Sequence, residues 1–127
     1  MIVGVGIDVV EVERMRRLLD DKGERALARL FTAGEREYAS THREPYRHLA
    51  ARAAAKEAAF KALAGNDLAR AIGWRELEVV STKGHAPTLQ LHGRAQERAT
   101  ELGVTRVHLS LTHSEHTAAA FVVAEAD

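Results

Sequence analysis

Asp8 is a lone carboxylate in an otherwise apolar run, Ile2-Val3-Gly4-Val5-Gly6-Ile7-Asp8-Val9-Val10. The run is short and β-branched, which predicts a strand. Strand side chains alternate, so Val3, Val5, Ile7 and Val9 share one face, and Gly4, Gly6 and Asp8 share the other. Glycine inside a strand often marks the close approach of a ligand or of another backbone. A carboxylate at the end of such a bare track can hold a cation or a proton. It can equally cap the next helix, since Asp is a favoured N-cap residue.

A second carboxylate lies in Arg52-Ala53-Ala54-Ala55-Lys56-Glu57-Ala58-Ala59-Phe60-Lys61. Arg52 and Lys56 are four residues apart, as are Glu57 and Lys61, and that spacing shares a helix face. The alanines keep the surface low, so a bulky ligand can lie against the helix backbone. Glu before Lys at this spacing is also the pattern of a solvated ion pair, which contributes about 0.2–0.5 kcal/mol.

His113 ends the run Val107-His108-Leu109-Ser110-Leu111-Thr112-His113, and alternation puts it on the Leu109/Leu111 face. A histidine there can bind a phosphate or move a proton, or it can be a partly buried ring bonded to a carbonyl. With His116 it makes two of the ligands a zinc site needs, and no others accompany them. Arg14, Arg16 and Arg17, with Met15 among them, suit docking to an acidic helical partner. An ordinary charged face, with Glu11 and Glu13 offsetting the arginines, has the same composition.

Holding these groups in place takes a mixed set of elements. Val12, Met15, Leu18 and Leu19 fall at helical spacing, so Glu11–Asp20 reads as a helix that Gly23 stops. Ala26–Phe31 reads as a short helix. Thr32-Ala33-Gly34-Glu35 is a capping-box pattern that opens a helix from Ala33 to about Ser40. Glu44-Pro45 opens the longest helix, alanine-rich from Tyr46 to Leu63 and ended by Gly65-Asn66-Asp67. A loop or short helix follows around Trp74. Leu77–Thr82 and Thr88–Leu91 read as strands flanking Lys83–Pro87, and Gly93–Leu102 as a helix stopped by Gly103. Arg106–Thr112 and Thr117–Ala124 form a hairpin around His113-Ser114-Glu115-His116. This order predicts an α+β fold, one small domain over residues 1–127 with an antiparallel-rich sheet packed against a long helix.

Composition narrows the function. At 127 residues the chain suits one domain that buries about two thirds of its unfolded surface. It has no cysteine, which excludes disulfides and thiolate metal sites and fits a cytoplasmic setting. No apolar stretch approaches the ~20 residues of a membrane span. The first residues lack the basic-then-apolar order of a signal peptide. Lys plus Arg equals Asp plus Glu at 18 each, which argues against a nucleic-acid partner. Aromatic residues, at 5%, are too few for base-stacking platforms.

Three of these segments together resemble the holo-(acyl-carrier-protein) synthase family, the short bacterial phosphopantetheinyl transferases. They are Gly4-Val5-Gly6-Ile7-Asp8 with Arg14 six residues on, Ala51-Arg52-Ala53-Ala54-Ala55-Lys56-Glu57-Ala58 with Lys61-Ala62-Leu63, and Ser110-Leu111-Thr112-His113-Ser114 with Ala118-Ala119-Ala120. Their order and separations match across the chain. Departures fall at Ala53, where the family usually has Phe or Trp, at Ala64-Gly65-Asn66, in Gly84-His85-Ala86-Pro87, and at Ser114.

The resemblance implies transfer of phosphopantetheine from coenzyme A (CoA) to a serine of apo acyl carrier protein. The second product is adenosine 3',5'-bisphosphate. It implies magnesium (Mg2+) held by Asp8 and Glu57, and CoA phosphates met by Lys56, Lys61 and His113, with Arg52 near the nucleotide. Glu57, Lys61 and His113 would be catalytic, with Glu57 or a metal-bound water as proton acceptor and Glu35 as a more distant candidate. Arg14, Met15 and Arg17, beside Arg16, would meet the acidic carrier. The family further implies a homotrimer with shared sites, Asp8 and His113 from one chain and Glu57 and Lys61 from its neighbour. A metal-dependent phosphohydrolase acting on a nucleotide pyrophosphate is one alternative. A non-enzymatic module binding an acidic helical protein is another.

Overall fold

The computed structural model describes residues 1–127. In chain order the elements are β1 (Ile2–Glu11), α1 (Val12–Leu30), α2 (Ala33–Ser40), α3 (Pro45–Leu63) and α4 (Asp67–Arg70). A 3-10 turn (Trp74–Glu76), β2 (Leu77–Val80), β3 (Thr88–Leu91), α5 (Gly93–Glu101), β4 (Val104–His113) and β5 (Thr117–Ala126) complete them. The expected α+β class holds. One antiparallel sheet has the order β1-β5-β4, and β2 and β3 form a separate hairpin.

The long helix α3 is the centre of the core. It begins with Pro45 in its first turn, where a missing N–H costs nothing. It is apolar nearly all round, and twelve of its nineteen residues are buried, which makes it a core helix and not an amphipathic surface one. Ala54, Ala55, Ala58, Ala59 and Ala62 pack under the sheet with Val122 and Ala120 of β5.

Gly4 and Gly6 face this helix. A Cβ on Gly4 would collide with the carbonyl of Ala62, and one on Gly6 with that of Ala58. Of the two approaches a strand glycine can signal, the one found here is that of another backbone. The opposite face of β1 is open, with Val5, Ile7 and Val9 each more than half exposed, and Phe121 of the paired strand 44% exposed.

Local signals located most boundaries. The Thr32–Glu35 capping box is fully formed, with Glu35 N–H donating to Thr32 Oγ1 at 3.2 Å and Thr32 N–H to Glu35 Oε1 at 2.9 Å. The first helix differs from expectation. Glu11 still belongs to β1, paired with Thr117, so helix α1 begins at Val12. Gly23 adopts φ 65°, which breaks the helix geometry, but the chain re-enters a helix and continues to Leu30. Asp8 therefore lies inside the strand opposite Ala120 and caps nothing; Glu11 holds the N-cap position.

Candidate active site

The two carboxylates come together. Asp8, from the end of the glycine track, and Glu57, from the middle of α3, line one cavity of about 410 Å³ with Ala53, Arg14 and Trp74. Lys61, one turn beyond Glu57, donates to the Ile7 carbonyl at 2.8 Å and to Asp8 Oδ1 at 3.3 Å. Burial and then the nearby Asp8 charge push the Glu57 carboxyl up from its ordinary value, and Lys61 opposes them. Two like charges held together in a half-buried cavity are the arrangement that a cation relieves. The donors are all oxygen, and no group of three or more His, Asp or Glu is gathered to enclose an ion. That suits a hard cation such as magnesium, which binds through one or two carboxylates and keeps its other positions for water and phosphate oxygens.

The carboxylate cavity opens onto a groove. Leu18, Leu30 and Trp74 line both it and a neighbouring depression of about 890 Å³, whose rim carries Lys22, Arg25 and Arg29. A carboxylate pair thus lies at the head of an apolar groove with a largely basic edge, to which Asp21 adds one negative charge.

Arg52 and His113 belong to a different cavity, of about 700 Å³, that shares no lining residue with the first. Its charged and imidazole groups are Arg52, Lys83, His42, His48, His85 and His113, with no carboxylate among the residues around it. Arg52 is 3% exposed; its Nη2 donates to Ser81 Oγ at 2.7 Å and its Nη1 to the His48 carbonyl at 3.2 Å. Its guanidinium lies 4.1 Å from the centre of the Tyr38 ring, and its buried Nε has no partner. Burial pushes the Arg52 guanidinium down from its ordinary value. Two cations and four imidazoles with no carboxylate make a hollow that favours an anion.

Several expected roles change. Lys56 does not reach a phosphate: it is wholly buried, with Nζ 2.8 Å from Glu35 Oε1 and donating to the carbonyls of Trp74 at 2.8 Å and Leu77 at 2.7 Å. An ammonium has three donors, and all three are used. Glu35, 1% exposed, also accepts from the N–H groups of Thr32 and Val79, so it is no proton acceptor for a substrate. Met15 is 5% exposed and packs in the core between α1 and α3, so it offers a partner almost nothing.

Within one chain the expected site residues fall into two groups. Asp8, Glu57 and Lys61 of one chain already meet, so His113 is the member set apart. Arg14 lines the carboxylate cavity; Arg16 is engaged with Glu13 at 3.4 Å and stacks 4.8 Å from the Tyr46 ring centre; Arg17 is exposed.

Sequence reasoning missed Tyr38, His42 and His48, and also Trp74, Lys22, Arg25 and Arg29. The i,i+4 spacing of Tyr38 with His42 and of His48 with Arg52 was the one visible signal for the first group.

The whole chain has known counterparts. Residues 4–122 match the model of the 4'-phosphopantetheinyl transferase superfamily. The chain is 43% identical over 125 residues to the holo-[acyl-carrier-protein] synthase of Maridesulfovibrio salexigens, an alignment covering 98% of this chain and 99% of that one. Its fold is similar to the crystal structure of holo-[acyl-carrier-protein] synthase from Neisseria meningitidis, with TM-score 0.85, 31% identity and coverage of 98% and 99% of the two chains. It is also similar to the Bacillus anthracis holo-(acyl-carrier-protein) synthase in complex with CoA (3',5'-ADP), with TM-score 0.78, 32% identity and coverage of 100% and 99%.

Proposed function

The chain belongs to the 4'-phosphopantetheinyl transferase superfamily, and on that premise we propose that it converts an apo acyl carrier protein to its holo form with CoA as donor. The observation that carries this is the meeting of Asp8 and Glu57 in one cavity, with Lys61 bonded to Asp8, in a chain matched end to end by holo-acyl-carrier-protein synthases.

In the reaction a serine hydroxyl oxygen of the carrier attacks the pyrophosphate phosphorus that bears the pantetheine arm. The new O–P bond forms as the P–O bond to the nucleotide breaks, and adenosine 3',5'-bisphosphate leaves. Such transfer needs positioning and charge neutralisation more than covalent help. Magnesium, held by Asp8 and Glu57, would supply Lewis-acid neutralisation of the pyrophosphate. Lys61, already at Asp8, brings a positive charge to the same place. The serine proton passes to Glu57 or to a water in the same cavity. The cationic cavity with Arg52 and His113 receives CoA phosphate oxygens. Arg14 and Arg17, joined by Lys22, Arg25 and Arg29 along the groove, dock the acidic carrier.

Because His113 lies apart from the carboxylates, the complete site is formed between copies of the chain. One protomer brings Asp8, Glu57 and Lys61, and its neighbour brings His113. A homotrimer is the assembly the family resemblance implies. The exposed apolar face of Val5, Ile7, Val9 and Phe121 supports burial of this sheet against another copy. No helix is long and apolar enough to cross a membrane.

Incubation with CoA, magnesium and apo acyl carrier protein tests the function. Intact mass of the carrier should rise by one phosphopantetheine group. Release of free phosphopantetheine with no carrier present would instead mark a phosphohydrolase, and carrier binding that ignores CoA and magnesium would mark a docking module.

A further inference from the structure

Four rings in the cationic cavity form one contiguous file. Tyr38 lies 4.2 Å from His42, His42 lies 4.2 Å from His48, and His48 lies 5.3 Å from His113, all between ring centres. The file joins α2, the loop after it, the first turns of α3 and the end of β4. Its far end is anchored: His42 Nδ1 donates to the Tyr38 carbonyl at 2.6 Å, and the Arg52 guanidinium covers the Tyr38 ring. His113 is exposed at the end of a strand, and the one ring packed on it is His48, which meets it edge-on at 73°. Edge-to-face contact fixes the plane of a ring as well as its place.

We propose that His48 is a positioning residue for His113, its ring holding the His113 imidazole in the plane that presents a nitrogen to a phosphate oxygen of CoA. The role presupposes CoA as the donor. It works through shape and not charge. Burial, then the charges of His42, Arg52, His113 and Arg47, push His48 down to about 4, so at neutral pH it adds no repulsion toward His113. Lys83 and His85 also line the cavity, and no carboxylate does. A neutral aromatic ring of the same breadth should therefore replace it.

Titration of the intact protein with CoA, followed calorimetrically, tests this with His48→Phe, His48→Leu and His113→Ala, the first two also made in the His113→Ala background. Leu keeps most of the volume, so folding is retained while the ring is lost. His48→Phe should bind CoA like the parent. His48→Leu should raise Kd about fivefold, the scale of one aromatic pair. In the transfer assay it should raise KM for CoA and leave kcat and the carrier KM in place. In the His113→Ala background, Leu at position 48 should change nothing further.

Parent-like CoA binding by His48→Leu would overturn the role. So would the same fivefold loss without His113, or a His48→Phe protein as weak as His48→Leu. A chain that binds no CoA would sink both this role and the proposed donor. A chain that binds CoA with the expected His48 pattern but modifies no carrier would sink only the proposed function.

Discussion

The ammonium of Lys56 sits 2.8 Å from a carboxylate oxygen of Glu35, and neither side chain reaches solvent. The pair ties α2 to α3, and through the Trp74 and Leu77 carbonyls it also holds the 3-10 turn and the start of β2. Removing one member leaves the other charged and uncompensated, which costs about 3–5 kcal/mol. Lys56→Met should therefore lose about that much in urea denaturation. Adding Glu35→Gln, which removes the stranded charge and keeps an acceptor for one of the Thr32 and Val79 N–H groups, should recover part of it. A Lys56→Met protein of parental stability with raised KM for CoA would return Lys56 to the phosphate site.

The carboxylate pair should dominate turnover. Asp8→Ala and Glu57→Gln are each expected to lower transfer by about 100-fold or more, since neutralisation of the pyrophosphate is worth several kcal/mol. Circular dichroism should show both proteins folded. Excess magnesium should restore part of the Asp8→Ala loss; full activity of Asp8→Ala at limiting magnesium would remove Asp8 from the metal site.

Mixed inactive proteins should report how the site is divided. Glu57→Gln and His113→Ala, combined under conditions of subunit exchange, should regain activity, because some interfaces then pair intact carboxylates with an intact His113. Asp8→Ala with Glu57→Gln should stay inactive, since one cavity of each chain holds both carboxylates and every chain in the mixture lacks one of them. Recovery in the second mixture and not the first would reverse the assignment.

Carrier docking should be electrostatic. Charge reversal at Arg25 or Arg14 is expected to raise KM for the carrier several-fold and to change KM for CoA far less. The effect should shrink as salt shortens the Debye length from ~10 Å at 0.1 M to ~3 Å at 1 M. Equal effects on both substrates, unchanged by salt, would count against docking on this face.

His48 should also leave a mark on stability. The unfolded chain takes up a proton there near pH 6.5, whereas the folded chain resists until about pH 4. Acidification across that window therefore favours unfolding, and stability is regained as pH rises through it. His48→Phe should flatten the fall in Tm between pH 7 and pH 5; an unchanged slope would show that His48 protonates freely in the fold.

Local chemistry made much of the fold legible. The Thr32–Glu35 box and Pro45 placed their helices, because caps and prolines act within one turn. Periodicity placed Val12, Met15 and Leu19 inward, and the burial of Met15 follows that pattern and not the docking face of its arginine neighbours. Lys56 was opaque for a reason specific to α3. A helix apolar on every side has no period from which to tell which charged residue faces out. Glu57 keeps partial exposure and Lys56 has none, although they are adjacent. The file from Tyr38 to His113 needed the third dimension, since its members come from four separate segments.

Gly4 and Gly6 act as a ruler. Two strand residues advance about 6.6 Å, and four helix residues about 6 Å, so the two repeats nearly coincide. Gly4 meets Ala62 and Gly6 meets Ala58, one notch apart on each element. The next notch on the strand is Asp8. Its height against Glu57 and Lys61 is thus set by main chain resting on main chain, with no side chain to compress or re-rotamer. The strand cannot creep by one residue, because Val5 or Ile7 would then have to occupy space that admits no Cβ. A methyl group at Gly6 should accordingly be felt at the carboxylates: Gly6→Ala would lift β1 off α3, and its loss of transfer should exceed whatever the fold itself loses.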